Sequence, residues 1–347
     1  MVPSRAIGFL LPLALSCTAL LAGCDMVVLR PSGYVAQQQG QLVVISTLLM
    51  LLIIVPVIVL TLVFAWHYRA SNTKATYTPD WDHSIQLELI IWAGPLLIIL
   101  ALGALTWIGT HTLDPYRALT RIDSPRPLSI EAEPLKIEVV ALDWKWLFIY
   151  PDHGIAVVNE LAIPVDIPVH FTITASSVMN SFYIPALAGQ IYAMPGMATT
   201  LHAVINKHGE YEGFSANYSG AGFNGMRFKL LGVSAGEFDS WLQKARASKD
   251  ELTREGYLEL EKPSERVPVR RYGTVAIDLF DLVVNRCVDS RAVCVRHMMM
   301  GGHAEPARTV ARAPGREADA LNLIADAAVC RADGSLATAL ASPVYRD

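Results

Sequence analysis

The residues of this chain that have the right chemistry for a reaction or a metal are few and scattered. His297, Met298, Met299, Met300 and His303 form a run of soft ligands of the kind that suits Cu(I). In a Gly-, Ala- and Arg-rich tail, incidental composition accounts for it better. Five cysteines occur, at 17, 24, 287, 294 and 330, and none stands in a CxxC pair, so zinc and thioredoxin chemistry have no support. Cys287 and Cys294 flank the short segment VDSRAV and could pair across it in an oxidising compartment. Glu88 is a carboxylate at the start of an apolar run, a position where a side chain can simply sit among headgroups. No set of paired histidines on apolar helices is present to hold haem.

A second group lies in FSANYSGAGFNGMRFKL, Phe214 to Leu230, with Ser215, Asn217, Ser219, Phe223 and Met226 at fixed intervals. Upstream, SSVMNSFYIPALAGQIYAMPG contains Asn180. Taken alone, these would be ordinary loop residues. A further aromatic cluster, Trp144-Lys145-Trp146, sits inside LKIEVVALDWKWLFIY.

The elements that must carry these residues fall into two textures. With 52% hydrophobic residues and a mean hydropathy of +0.35, the 347-residue chain is too apolar for an ordinary soluble protein. Leu42 to Trp66 is uncharged and almost wholly apolar; as a helix it reaches roughly 37 Å, enough to cross a bilayer. Leu87 to Ile108 is a second such run, with Trp92 and Trp107 near its ends and Gly94-Pro95 where it would kink. Neither contains histidine. Beyond residue 110, strand-like runs appear at Leu135–Tyr150, Ile167–Ala175, Thr199–Ile205, Gly209–Ala216 and Met226–Val233, separated by Pro- and Gly-rich turns. That pattern predicts a Greek-key sandwich or barrel over 130–234. From Ala235 the pattern turns helical (EFDSWLQKARASKDELT), and a second amphipathic stretch covers Val275–Asn285, giving a helical region over 235–300. Residues 301–347 read as loop-like or disordered. A formal charge of −4 without a long basic run gives nucleic acid no foothold as a partner.

The first 24 residues combine Arg5, an apolar stretch from Ile7 to Leu15 and the ending Leu21-Ala22-Gly23-Cys24. The apolar stretch is shorter than the ~20 residues of a membrane span, and the ending matches a bacterial lipobox. The expectation is a signal peptide over 1–23, lipid (palmitate) on Cys24, and removal of Cys17. Asp25 then resembles an inner-membrane retention signal. An acylated Cys24 lies outside the cell membrane, so 24–110 forms an anchor with two spans (about 42–66 and 87–108), the loop from Tyr68 to Gln86 is cytoplasmic, and the large C-terminal part is periplasmic. The charge balance of the loops adds little, since Arg69 and Lys74 are matched by Arg117 and Arg121.

Two spans followed by an extracytoplasmic β-sandwich, with WKW, the Asn180 segment and FSANYSGAGFNGM in that order, resembles subunit II of the haem–copper oxidases over roughly Cys24 to Asn285. In the cytochrome c oxidase members, one loop supplies a dinuclear copper centre through Cys-x-Glu-x-Cys, a histidine four residues on and a methionine three further, with another histidine from an upstream strand. Laid on this chain, the cysteines fall on Ser215 and Ser219, the glutamate on Asn217, the loop histidine on Phe223, the methionine on Met226 and the upstream histidine on Asn180. Spacing survives while donor chemistry does not: a neutral hydroxyl and a phenyl ring cannot replace thiolate and imidazole. The pattern is similar to that of the bo-type ubiquinol oxidases, whose electrons arrive from quinol dissolved in the bilayer.

The resemblance implies a membrane-anchored, all-β, cupredoxin-like domain without copper and with C-terminal helices. It implies a non-catalytic subunit of a proton-translocating enzyme that oxidises ubiquinol and reduces dioxygen to water. Haems and copper would lie in subunit I, which would also take the ubiquinol, and this chain would bind no cofactor. Subunits I, III and IV would be partners in the bacterial inner membrane. Glu88 would mark the entrance of a proton pathway, and Trp144 and Trp146 would pack and dock against the haem subunit. Two rival expectations are a cytochrome c oxidase subunit II and a stand-alone periplasmic lipoprotein that binds copper, for instance through the His/Met tail.

Overall fold

The structure is a computed structural model and describes residues 26–76, 78–128 and 133–300. Cys17, Cys24, His303, Cys330 and the segment 301–347 lie outside the described residues.

Helix α1 covers Tyr34–His67 and helix α2 covers Ile85–Thr112; both are long and apolar enough to cross a membrane. Helix α1 begins eight residues before the apolar run expected from Leu42. Its first turns, YVAQQQGQ, carry four glutamines in place of the apolar residues that lipid selects. Val35, Ala36 and Gly40 in these turns are buried, because the start of α1 is built into the globular domain. Ser32 and Gly33 donate backbone N–H groups to the Ala186 carbonyl at 3.0 and 2.8 Å, and Asn206 N–H donates to Ser32 O at 2.8 Å. Gly33 is required there: a Cβ would stand 2.5 Å from the Leu187 carbonyl oxygen. The two helices approach where Gly109 meets Leu42.

The domain contains β1 (Leu135–Leu142), β2 (Lys145–Tyr150), β3 (Ile155–Val158), β4 (Glu160–Pro164), β5 (Pro168–Ala175), β6 (Asn180–Tyr183), β7 (Ile191–Ala193), β8 (Thr199–Val204), β9 (Gly209–Ser215) and β10 (Arg227–Val233). It continues through α3 (Ala235–Arg246), β11 (Glu251–Leu252), α4 (Arg254–Glu261), β12 (Arg270–Tyr272), β13 (Thr274–Val275), α5 (Leu279–Val284) and α6 (Val295–Met300). One sheet runs β12-β3-β2-β1-β5-β8 and the other β4-β10-β9-β6-β7, with β11 and β13 paired separately. The two sheets pack face to face as a sandwich around Trp146, Phe148, Phe171, Phe182 and Phe228. Phe182 and Phe228 stack with centroids 5.4 Å apart, and Trp146 meets both edge-on at 5.4 and 5.6 Å.

The region expected to alternate, Leu135–Tyr150, is a hairpin whose second strand is buried at every position. Alternation fails because the sheet is covered on both faces. Its outer face carries a second core in which Leu142, Leu147 and Ile149 meet Tyr257, Leu260, Leu279 and Phe280 from the C-terminal helices. The predicted C-terminal helices are present, but the region also supplies strands. Helix α3 ends at Arg246, and Glu251–Leu252 pairs with β13 instead of prolonging it. The amphipathic stretch 275–285 is helical only over Leu279–Val284, because Asp278 at its start has φ 59°. Strand β12 extends the six-stranded sheet beside β3. Helix α3 starts with a reciprocal capping box, in which Glu237 N–H donates to Ser234 Oγ and Ser234 N–H donates to the Glu237 carboxylate.

Candidate functional site: the loop between β9 and β10

Strand β9 ends at Ser215 and β10 starts at Arg227, so the intervening loop closes one end of the sandwich. Strand β6 pairs with β9, which puts Asn180 beside Ser215 although 35 residues separate them. The six expected positions gather at this end.

Their interactions are those of a polar plug. Ser215 Oγ donates to Asn180 Oδ1 at 3.0 Å, with the Asn217 carbonyl a second acceptor at 3.1 Å, and it accepts the Ser181 N–H at 3.4 Å. Asn180 Nδ2 donates to Val178 O at 3.2 Å. Ser219 Oγ lies 4.0 Å from the Met226 sulfur. Asn217 turns away, donating to the carbonyls of Met179 and Tyr218 at 3.3 and 3.2 Å. Phe223 packs edge-on against the exposed Tyr218, 5.5 Å between centroids. Asn180, Ser215 and Met226 are 1%, 3% and 1% exposed, so an amide and a hydroxyl with little affinity for a soft metal share the interior with a single thioether. A dinuclear copper centre does not fit this donor set: it lacks anionic bridging sulfur and imidazole, and the buried hydroxyl is already committed to an amide.

Trp144 closes the site from the β1–β2 turn. Its φ of 65° is unusual for a bulky residue and costs roughly 1–3 kcal/mol. The conformation aims the ring across the loop, where Nε1 donates to Ser219 O at 3.0 Å. Gly222 makes room for it: a Cβ there would lie 2.4 Å from Trp144 Cδ2. Trp144 is half-buried, whereas Trp146 is fully buried in the core. Trp146 is thus a core residue, and of the two tryptophans only Trp144 reaches the surface of this chain. Between them, Lys145 is buried and its Nζ donates to Asp143 O, Lys262 O and Ser264 Oγ at 3.3, 2.8 and 2.7 Å. Burial holds its pKa below the ordinary lysine value. Reading by residue type missed the structural role of Lys145 and the need for Gly222; the SGAG spacing was the only hint of the latter.

Glu88 lies in the first turn of α2, exposed, with its N–H bonded to Ser84 O at 2.9 Å. The exposed pair Asp82 and His83 (3.1 Å) precedes it. At the far end of the chain, Cys287 and Cys294 form a disulfide with Cα atoms 4.9 Å apart. Of the His/Met run, His297 and Met298 sit on α6 beyond that disulfide.

Residues 153–231 match the family described as the cytochrome c oxidase subunit II periplasmic domain, and residues 246–291 match the COX aromatic rich motif. The chain is 51% identical over 267 residues to cytochrome bo(3) ubiquinol oxidase subunit 2 of Pseudomonas putida, covering 77% of this chain and 82% of that one. It is 49% identical over 272 residues to ubiquinol oxidase subunit 2 of Acetobacter aceti, covering 78% and 85%. Among solved structures it is similar to the periplasmic domain of subunit II of cytochrome oxidase of Bradyrhizobium japonicum, 24% identical with a TM-score of 0.32, over 34% of this chain and 96% of that one.

Proposed function

Because the chain belongs to the family of cytochrome bo(3) ubiquinol oxidase subunit 2, we propose that it is the second subunit of a respiratory haem–copper oxidase that takes electrons from ubiquinol rather than from a soluble cytochrome. The overall reaction oxidises two ubiquinol molecules to ubiquinone and reduces one dioxygen to two waters, with proton translocation. Haems and copper reside in subunit I, and so does the quinol site. This chain binds no cofactor and performs no redox step. It assembles with subunits I, III and IV and closes the periplasmic face of the enzyme.

The observation that carries this reading is the Ser215–Asn180 hydrogen bond in the buried end of the sandwich, at the positions where cytochrome-fed relatives need thiolate and imidazole. Electrons from a water-soluble donor have no metal port here, whereas a donor dissolved in the bilayer needs none.

The remaining assignments follow the same reading. The signal peptide over 1–23 is removed, and Cys24 carries lipid at the outer surface of the inner membrane. The anchor over 24–110 places the domain over 130–234, and the segment after it, in the periplasm. Glu88 then lies on the cytoplasmic side, as a proton-collecting carboxylate at the mouth of a pathway into subunit I. Trp144, laid over the loop and still partly exposed, packs at the boundary with that subunit.

Turnover of the purified complex tests the proposal. Rapid oxidation of ubiquinol with no turnover of reduced cytochrome c, and no copper attributable to this chain by elemental analysis, is the expected result. Rapid turnover with reduced cytochrome c, or two copper ions in the folded domain, overturns it.

A further inference from the structure

Where α1 and α2 meet the domain, a partly open cavity of about 300 Å³ is lined by the first turns of α1, the segment following α2, the β6–β7 loop and β8. The apolar helices end here: Tyr34 begins α1 and Thr112 closes α2, and both line it. Trp107 and Tyr116, both well exposed, flank this end; such aromatics mark the headgroup layer of a bilayer.

The lining is half polar and half apolar, and its polar part carries net positive charge. Arg117 and Arg121 contribute guanidiniums, Asp114 one carboxylate, and Gln38 and Gln39 amides. His202 also lines the cavity; burial and the neighbouring His170, 4.6 Å away ring to ring, depress its pKa, so it adds no charge at neutral pH. Asp114 is turned back into its own loop, accepting the Tyr116 N–H at 2.9 Å. Each arginine spends one donor on a backbone carbonyl: Arg117 on His111 O at 3.3 Å and Arg121 on Ser124 O at 2.9 Å. Among the described residues neither forms an ion pair with a carboxylate, whereas nearby Arg126 is clasped by both Asp123 and Asp166. A guanidinium has five N–H donors in a planar fork suited to phosphate oxygens. Two of them line this cavity, beside the aromatics at the helix ends, and have no carboxylate partner among the described residues.

We infer that this cavity seats the phosphate of an anionic phospholipid from the leaflet facing the domain, held by Arg117 and Arg121. The bound lipid fills the joint between the apolar helices and the sandwich, where Val35, Leu113 and Leu201 offer an apolar wall to the glycerol and the first methylenes.

The test uses the complex that purifies with the full chain, delipidated in detergent. It is titrated with phosphatidylglycerol, phosphatidylcholine or inorganic phosphate, and retained lipid is counted by native mass spectrometry. The wild-type complex should hold one more phosphatidylglycerol than the Arg117→Gln/Arg121→Gln variant, with about tenfold tighter retention. Asp114→Asn should tighten retention, a change that a merely structural role for this loop does not produce. Equal retention by wild type and double variant overturns the proposal, as does phosphatidylcholine binding as tightly as phosphatidylglycerol. Displacement by millimolar inorganic phosphate also overturns it, in favour of a site for a soluble anion. If the double variant does not assemble, Asp114→Asn decides, and unchanged retention overturns the proposal.

Discussion

The hydroxyl of Ser215 and the amide oxygen of Asn180 stand 3.0 Å apart at the buried end of the sandwich, joining β9 to β6. A neutral hydrogen bond thus ties these strands together. Its value lies mostly in satisfying groups that have no access to water.

Ser215→Ala leaves Asn180 Oδ1 without the Ser215 hydroxyl as a donor in a buried setting, and should destabilise the domain by about 1–3 kcal/mol. Ser219→Ala removes only a 4.0 Å contact from a half-buried hydroxyl and should cost less than about 0.5 kcal/mol. Thermal or denaturant unfolding of the two variants checks the contrast; equal losses would remove the special role of Ser215.

Gly222→Ala should displace Trp144, because the new methyl would lie 2.4 Å from the ring and 2.7 Å from Glu265 Cγ. A cost of roughly 1–3 kcal/mol is expected. Tryptophan fluorescence should shift to the red, and retention of the partner subunit on purification should fall. A protein that folds with unchanged emission would place Trp144 outside the loop closure.

Glu138 provides a pH test. Burial, reinforced by Asp281 and Asp152, pushes its carboxyl up to about 7. The unfolded chain ionises near the ordinary value while the folded chain still holds its proton, so stability falls as pH rises from about 4.5 to 7 and this contribution then levels off. Glu138→Gln should flatten that slope and raise stability above pH 7 by on the order of 1–2 kcal/mol, discounted because the group is partly exposed. A profile identical to wild type across this range would refute it.

The Cys287–Cys294 disulfide closes a short loop between α5 and α6. Replacing both cysteines by serine should cost roughly 2 kcal/mol, and the loss should be local. Amide exchange should quicken around 279–298 and stay slow in β1, β2 and β5, whose side chains form the sandwich core. Uniform acceleration through those strands would instead make the disulfide a support for the whole domain.

Glu88→Gln should lower quinol-driven turnover a few-fold without altering assembly or the midpoint of unfolding, because the side chain is exposed and its helix is held by backbone bonds. Steady-state oxygen consumption at saturating quinol is the measurement. Unchanged turnover would remove Glu88 from the proton pathway.

Once the family resemblance had fixed which positions to compare, residue types carried the chemical conclusion, because donor chemistry is a local property. Serine, asparagine and phenylalanine cannot become thiolate or imidazole in any fold. The apolar helices were legible for the same reason, since lipid selects on side-chain polarity over a continuous run. Their true ends were not, because YVAQQQG packs on the domain rather than on lipid. Strand alternation was visible where one face meets solvent, as in Arg227–Val233, and vanished in Lys145–Tyr150, where the C-terminal helices cover the second face. Trp144 and Trp146 are two residues apart and of one type, yet a positive φ lays one half-buried across the β9–β10 loop while pairing within the sheet buries the other. The meeting of Ser215 with Asn180, of Lys145 with Ser264, and of Arg117 and Arg121 with the start of α1 all depend on pairings between segments distant in sequence. Local composition carries no record of those pairings; packing creates them.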